Sequence, residues 1–202
     1  MAQSTIRVEP IAGALGAEIS GVDLSRDLSE AAIGDIRAAL LEHQVVFFRD
    51  QQLTPEQHLD FGRRFGKLQV HEFVGGMAAY PEILEVRKEP GETRNFGVKD
   101  KDSYPSADHP VVRTHPVTGK KALYVNKGFT RRINGIPLDE SDGILRYLFE
   151  HMQNPLFQCR FRWQPNSLAF WDNRCVQHHA MWDYWPHTRS GNRVTVKGDR
   201  PV

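Results

Sequence analysis

The chain has 202 residues, enough for one ordinary domain with a real core. Lys+Arg 26 balance Asp+Glu 25 at a net charge of +1, which excludes a global field for nucleic acid or for an anionic membrane. No segment has the apolar length of a bilayer span, and Met1 to Glu9 holds no apolar run of the signal-peptide kind. Cys159 and Cys175 form neither a CxxC pair nor a disulfide framework, so the expectation is a cytoplasmic protein with reduced core thiols.

In chain order, Ile6-Arg7-Val8 and Ala17-Glu18-Ile19 alternate like short strands between glycines. Ser29 opens a helix predicted to run to about His43, with Ile33, Ile36, Leu40 and Leu41 on one stripe. Val45 to Phe48 is a continuous apolar run and reads as a buried strand. Thr54 as N-cap, Pro55 at the first position and Gln57 at the third mark the next helix, which carries Leu59, Phe61 and Phe65 and stops at Gly66. Ile83 to Val86 is a further strand candidate.

From Lys88 to Pro110 the text is polar and aperiodic, the mark of a functional or disordered loop. Beyond it, Ala122 to Val125 reads as a strand and Asp139 to about Gln153 as a helix with Ile144, Leu145, Leu148, Phe149 and Met152. Phe157 to Trp163 alternates strictly, aromatic and Cys against Gln and Arg, as a half-buried strand should. Ser167–Trp171, Val176–His179 and Arg193–Lys197 complete a strand-rich C-terminal half. The chain shows no repeats, so residues 1–202 are expected to form one domain. It should be mainly β with flanking helices, a barrel or jelly roll.

The chemistry concentrates near the C-terminal end. His178 and His179 are neighbours on an expected strand, and Val176 shares a face with His178, which favours His178 as the inward imidazole. Its plain alternative is a buried histidine that merely hydrogen-bonds. Arg189 and Arg193 lie four apart, so an extended strand puts both on one face, where two guanidinium groups imply anionic ligands. Their plain alternative is a solvated basic edge, with Ser190-Gly191-Asn192 as a turn. An imidazole that can hold a divalent metal beside guanidinium forks suggests an Fe(II) enzyme with an organic acid as co-substrate.

The text Gly16-Ala17-Glu18-Ile19-Ser20-Gly21-Val22-Asp23-Leu24 and His43 to Gln51 resembles the Fe(II)- and 2-oxoglutarate-dependent dioxygenases that include taurine dioxygenase and the phenoxyacetate dioxygenases. The match continues through Arg64-Phe65-Gly66, His109 to Pro116, Tyr124-Val125-Asn126, Trp163 to Asn166 and Trp171 to Arg174. The resemblance implies a double-stranded β-helix (jelly roll, cupin-like) core. It implies His178 as the distal iron ligand, Arg189 as the partner of the far carboxylate of 2-oxoglutarate, and Arg193 facing the substrate's anionic group. His71 falls where the taurine enzyme has a substrate-binding histidine, and Phe129 where it has an aromatic wall. Their plain alternatives are a surface loop residue and a core aromatic. Val74 stands near the position of a tyrosine in the taurine enzyme and argues for a larger or less polar substrate.

The chain also departs from the family. The His-x-Asp pair that supplies the other two iron ligands should follow a segment like Arg94-Asn95-Phe96-Gly97. Here the text continues Val98-Lys99-Asp100-Lys101, as if a segment were missing between 97 and 98. His58-Leu59-Asp60 is a His-x-Asp, but inside a helix its side chains diverge and cannot share a metal. Either the sequence omits a segment there, or the chain lacks it and is inactive. The implied function is hydroxylation of a small anion, a sulfonate such as taurine or an alkyl sulfate, with O2 consumed and succinate and CO2 formed. The alternatives are a hydroxylase of an aryloxy or other carboxylic acid and an inactive anion-binding relative. No nucleic-acid or membrane partner is expected, and homo-oligomerisation stays open.

Overall fold

The computed structural model describes residues 6–71, 75–90 and 106–202. The chain divides into two units, one of Met1–Leu53, His109–Gln177 and Arg200–Val202, the other of Thr54–Asp108 and His178–Asp199.

The first unit is built on a four-stranded sheet, β1 (Arg7–Pro10), β2 (Ala17–Ser20), β3 (Val45–Phe48) and β7 (Leu168–Trp171), in that order. Strand β2 runs antiparallel to β1 and parallel to β3, which pairs antiparallel with β7 through Val46 and Phe170. All four residues of β3 are buried, as a continuous apolar run in a central strand requires. Helix α1 (Glu30–His43) packs on β2 and β3. The Ser29 side chain accepts the Ala32 N–H at its start, and Gln44 ends it in the left-handed region at φ 68. Ile33, Ile36, Ala39 and Leu40 are the buried stripe; Leu41, expected there, is half-buried.

Helix α3 (Leu138–Met152) lies where the periodicity puts it, but its buried residues are Ser141 and Leu145. Ile144 is exposed, so the expected apolar face is narrower than its composition. The expected strand Ala122–Val125 becomes β6 (Lys121–Leu123), which pairs with β5 (Val112–Thr114).

The expected strand Phe157–Trp163 does not form. Pro155–Phe157 is a 3-10 turn, and the segment after it is extended without ladder bonds among the described residues. Of its apolar positions only Cys159 and Phe161 are covered, while Phe157 and Trp163 are exposed. Phe161 stacks on Phe47 with ring centroids 4.0 Å apart, and Arg49 donates to the Arg162 carbonyl at 2.8 Å. Cys159 lies against Gly16, where a Cβ would meet its Sγ at 2.9 Å and φ is +92. Side chains hold this segment to the sheet in place of a neighbouring strand.

The second unit pairs helix α2 (Pro55–Arg63) with an antiparallel ribbon of β4 (Ile83–Lys88) and β8 (Arg189–Val194). Both bonds of the Thr54–Gln57 capping box are present. Gly62 allows close packing: a Cβ there would meet Leu68 and Val194 side chains at 3.1 Å. The strand expected at Arg193–Lys197 starts four residues earlier, because β8 pairs along the whole length of β4. The chain runs on through a Leu68–Val196 bridge. Among the described residues, no helix is long and apolar enough to cross a membrane.

Candidate functional site

Period-two geometry sorts the β4–β8 ribbon into two faces. Leu84 opposes Arg193, Val86 opposes Gly191 and Lys88 opposes Arg189 on one face. Ile83, Glu85, Arg87, Ser190, Asn192 and Val194 occupy the other. On the first face Leu84, Val86, Lys88, Arg189 and Arg193 are all half-buried; on the second, Ile83 is buried and Val194 half-buried, while Glu85, Arg87, Ser190 and Asn192 are exposed. Three cations therefore share a partly desolvated surface with two aliphatic side chains. Like charges directly opposite in a ladder destabilise it. Gly191 leaves open space between the arginines: among the described residues, nothing lies within 4 Å of where its Cβ would be. Arg193 Nε is buried and finds no hydrogen-bond partner among the described residues. A half-buried guanidinium pair with one orphaned donor suits an anion that accepts several N–H bonds. The turn expected as an alternative at Ser190-Gly191-Asn192 is absent, since all three are inside β8.

His178 belongs to this unit. The strand expected over Val176–His179 is not formed: β7 ends at Trp171, and a turn follows in which the Cys175 and Val176 N–H groups donate to the Asp172 carbonyl. Strand parity between Val176 and His178 therefore does not apply. His178 as a whole residue is exposed. Even so, the protein displaces enough water around the ring to hold its pKa below the ordinary value, and the charges of Arg193, Arg189 and His179 push the same way. The two arginines therefore act electrostatically on this imidazole, and they favour its neutral form with a lone pair to offer.

The remaining candidates divide. His71 is half-buried, two residues past Gln69, whose N–H donates to the Thr195 carbonyl. Phe129 is 85% exposed, so its reading as a core aromatic fails. It stands on a turn organised by Asn126, whose side chain accepts the Gly128 N–H at 2.8 Å and whose carbonyl accepts the Phe129 N–H at 3.1 Å. Val74, Gly97 and Val98 lie outside the described residues. His58 and Asp60 sit on α2; burial lowers the His58 pKa, while Asp60 pairs with Arg63 at 2.8 Å.

One cluster was not singled out for chemistry in the sequence. His115 and Asp172, 57 residues apart and both buried, lie 3.1 Å apart through Nε2 and Oδ2. Arg174 forks onto Asp172 at 2.8 and 2.6 Å, and Cys175 completes a His, Asp and Cys group of metal-binding dimensions. Its chemistry is that of a tie and not of a metal centre. Both Asp172 oxygens are engaged, and His115 Nδ1 accepts the Val117 and Thr118 N–H groups. Burial, then the Asp172 charge, pushes the Cys175 thiol up to about 11, so no thiolate is on offer. Burial alone would raise the Asp172 carboxyl. Hydrogen bonds from Arg174 and His115 outweigh it and hold the group below its ordinary value.

A ribbon with three cations on one face and an imidazole in the field of two of them is the chemistry on view, and comparison with known proteins supplies the family. The family model described as taurine catabolism dioxygenase TauD, TfdA family matches residues 7–100 and 90–195, so the chain belongs to the TauD/TfdA family. An alpha-ketoglutarate-dependent sulfate ester dioxygenase of Pseudomonas putida is 28% identical over 273 residues, covering 96% of this chain and 90% of that protein. An alpha-ketoglutarate-dependent sulfonate dioxygenase of Saccharomyces cerevisiae is 27% identical over 281 residues, covering 98% of this chain and 68% of that one. A crystal structure of a taurine dioxygenase from Burkholderia xenovorans superposes with a TM-score of 0.85 at 30% identity, covering 98% and 91% of the two chains. The 273 aligned positions of the Pseudomonas relative exceed the 202 residues of this chain by 71. At least that many positions of the relative have no counterpart here. The family match breaks into two stretches at residues 90–100, which locates the gap.

Proposed function

We propose that this protein is an Fe(II)- and 2-oxoglutarate-dependent dioxygenase that hydroxylates a small sulfonate or alkyl sulfate. The observation that carries this reading is the half-buried face of the ribbon, where Arg189 and Arg193 flank the open space at Gly191. The sulfonate and sulfate ester dioxygenases among its relatives point to the substrate class. Arg189 takes the far carboxylate of 2-oxoglutarate in a forked, charge-assisted pair. Arg193, with its orphaned Nε, takes the anionic head group of the substrate. His71 adds a polar contact, and Phe129, exposed on its turn, supplies an aromatic wall.

Of the iron set implied by family resemblance, His178 fits one position, because a neutral imidazole is a competent ligand. Among the described residues the one group of three with metal-binding dimensions, His115, Asp172 and Cys175, is already engaged elsewhere. The other two ligands fall in the positions that this chain lacks. Iron, when bound, supplies the activation of O2. The residues present hold the two anions, keep the imidazole unprotonated and fix which C–H is presented, and this positioning sets selectivity. The four-stranded sheet and the ribbon belong, in this reading, to one domain with a double-stranded β-helix. Its further strands come from the absent positions and would pair with Phe157–Trp163. The free cysteines suit a cytoplasmic location.

The absent positions favour one second reading, an anion-binding relative that takes 2-oxoglutarate without iron. The test is 2-oxoglutarate-dependent succinate formation with added Fe(II) across taurine, alkyl sulfates and aryloxyacetates. Intact mass measured on the same sample reports whether it carries extra sequence. Succinate formed with a sulfonate or sulfate supports the proposal. An aryloxyacetate preference transfers it to carboxylic acids, and 2-oxoglutarate binding without turnover leaves the second reading.

A further inference from the structure

Gly191 sits in the middle of the half-buried cation face, inside β8 and directly opposite Val86. A glycine inside a strand costs stability relative to alanine, so its use there needs a reason. The local reasons are missing. The register runs without a break from the Ile83–Val194 pair to the Lys88–Arg189 pair, so Gly191 makes no bulge. Its φ lies outside the left-handed region, and among the described residues nothing comes within 4 Å of where a Cβ would stand. The other use of a strand glycine is to let a ligand approach the backbone closely.

The surroundings of the gap select the ligand. Along the strand Arg189 lies on one side of it and Arg193 on the other, each two residues or roughly 7 Å away. Leu84 stands opposite Arg193, so aliphatic carbon flanks that guanidinium, and Val86 walls the gap itself. Glu85, the ribbon's one carboxylate, is on the other face. Arg193 Nε, buried and without a hydrogen-bond partner among the described residues, marks the anionic end. A cationic group over Gly191 would stand between two guanidinium groups, whereas a methylene chain would cover Leu84 and Val86. Carbon and not charge belongs there.

We infer that Gly191 is the specificity-determining residue of this face: it opens a slot, walled by Val86 and Leu84, for the unbranched alkyl chain of a sulfate ester or sulfonate whose head group is on Arg193. The slot rests on the proposed reading of Arg193 as the head-group site. It narrows that reading to substrates without a cationic tail, which sets taurine aside. Every residue of the slot lies on the ribbon itself.

Calorimetric titration of the intact chain with methyl, butyl and hexyl sulfate, with 2-oxoglutarate present to occupy Arg189, reads the slot directly. In the wild type, affinity should rise with chain length by about 2-fold per methylene on this half-open face, against roughly 4-fold for full burial. Gly191→Val, whose β-branched side chain suits a strand, should keep methyl sulfate within about 2-fold and flatten that rise. Gly191→Ala, the smaller change, should flatten it in part. Melting temperatures equal to or above the wild type separate loss of the slot from loss of the fold. 1-Propanesulfonate, which carries a methyl group in place of the taurine ammonium, should bind about 10-fold more tightly than taurine. Affinity that ignores chain length, folded Gly191 variants that follow the wild-type rise, or taurine bound as tightly as 1-propanesulfonate would each overturn the inference. The head-group reading survives those outcomes if Arg193→Ala loses the sulfates. Sulfates that fail to bind the wild type, or that bind Arg193→Ala equally well, remove that reading and the slot with it.

Discussion

The four-stranded sheet and the two-stranded ribbon are made by opposite means. In the sheet every residue of β3 is buried, and its neighbours Ala17, Ile19 and Ile36 are fully covered. In the ribbon one half-buried face carries Lys88, Arg189 and Arg193, with two of these cations directly opposed. Burial stabilises the first, whereas the second holds like charges together at a cost. On the proposed reading an anion offsets that cost, and the two regions then separate what makes the protein stable from what it recognises.

The largest effect that would sharpen this contrast is in the sheet. Phe48→Ala should cost about 3–5 kcal/mol, because it leaves a cavity beside Ile19 and Leu168, its ladder partners. Thermal melting checks it; a loss below about 1 kcal/mol would mean the sheet is not the stabilising region.

Next comes the buried tie. Asp172→Asn should cost about 3 kcal/mol, since it leaves Arg174 facing a neutral partner. The pH dependence follows from the lowered carboxyl pKa. The native state binds the proton less readily than the unfolded chain, so this contribution is present above the unfolded value near 4. It is lost as pH falls through the native one. Denaturation monitored across the acid range should show this loss in the wild type and not in Asp172→Asn.

The ribbon should behave in the reverse way. Arg193→Ala should leave stability within about 0.5 kcal/mol, or raise it, while weakening the anionic substrate more than 2-oxoglutarate. Arg189→Ala should show the opposite order of ligand losses. Calorimetric titration of both ligands distinguishes them, and an exchanged order would mean the two roles are interchanged.

The smallest effect is on a proton. His178 is held below its ordinary pKa first by burial and then by Arg193 and Arg189, so Arg193→Ala should raise that pKa, and by more than Arg189→Ala does. Because the native imidazole resists protonation, the unfolded chain takes up the proton first as pH falls below about 6.5. His178 therefore subtracts stability on the acid side. Ring-proton NMR titration reads both shifts.

Legibility tracked the range of the interaction. The Ser29 cap and stripe of α1, the capping box of α2 and the apolar run of β3 are local signals, and the elements stand within a residue or two of their expected ends. The pairing of Arg189 and Arg193 on one face was also legible, because period-two geometry needs nothing beyond the strand itself. Three features were not. Phe157–Trp163 carries a strand's alternation, but a ladder needs a neighbour that no local pattern reports. The tie between His115 and Asp172 joins residues 57 apart in sequence. Val176 and His178 lie on no strand, so strand parity was the wrong argument for the facing of His178.

The central claim, that the β4–β8 face seats the organic acid beside His178, is tested most directly by NMR of the arginine Nε–H groups during titration with 2-oxoglutarate. The account predicts a saturable shift of the Arg189 resonance, a smaller one at Arg193, and loss of the response in Arg189→Ala. Saturable binding that leaves both resonances unmoved would contradict it.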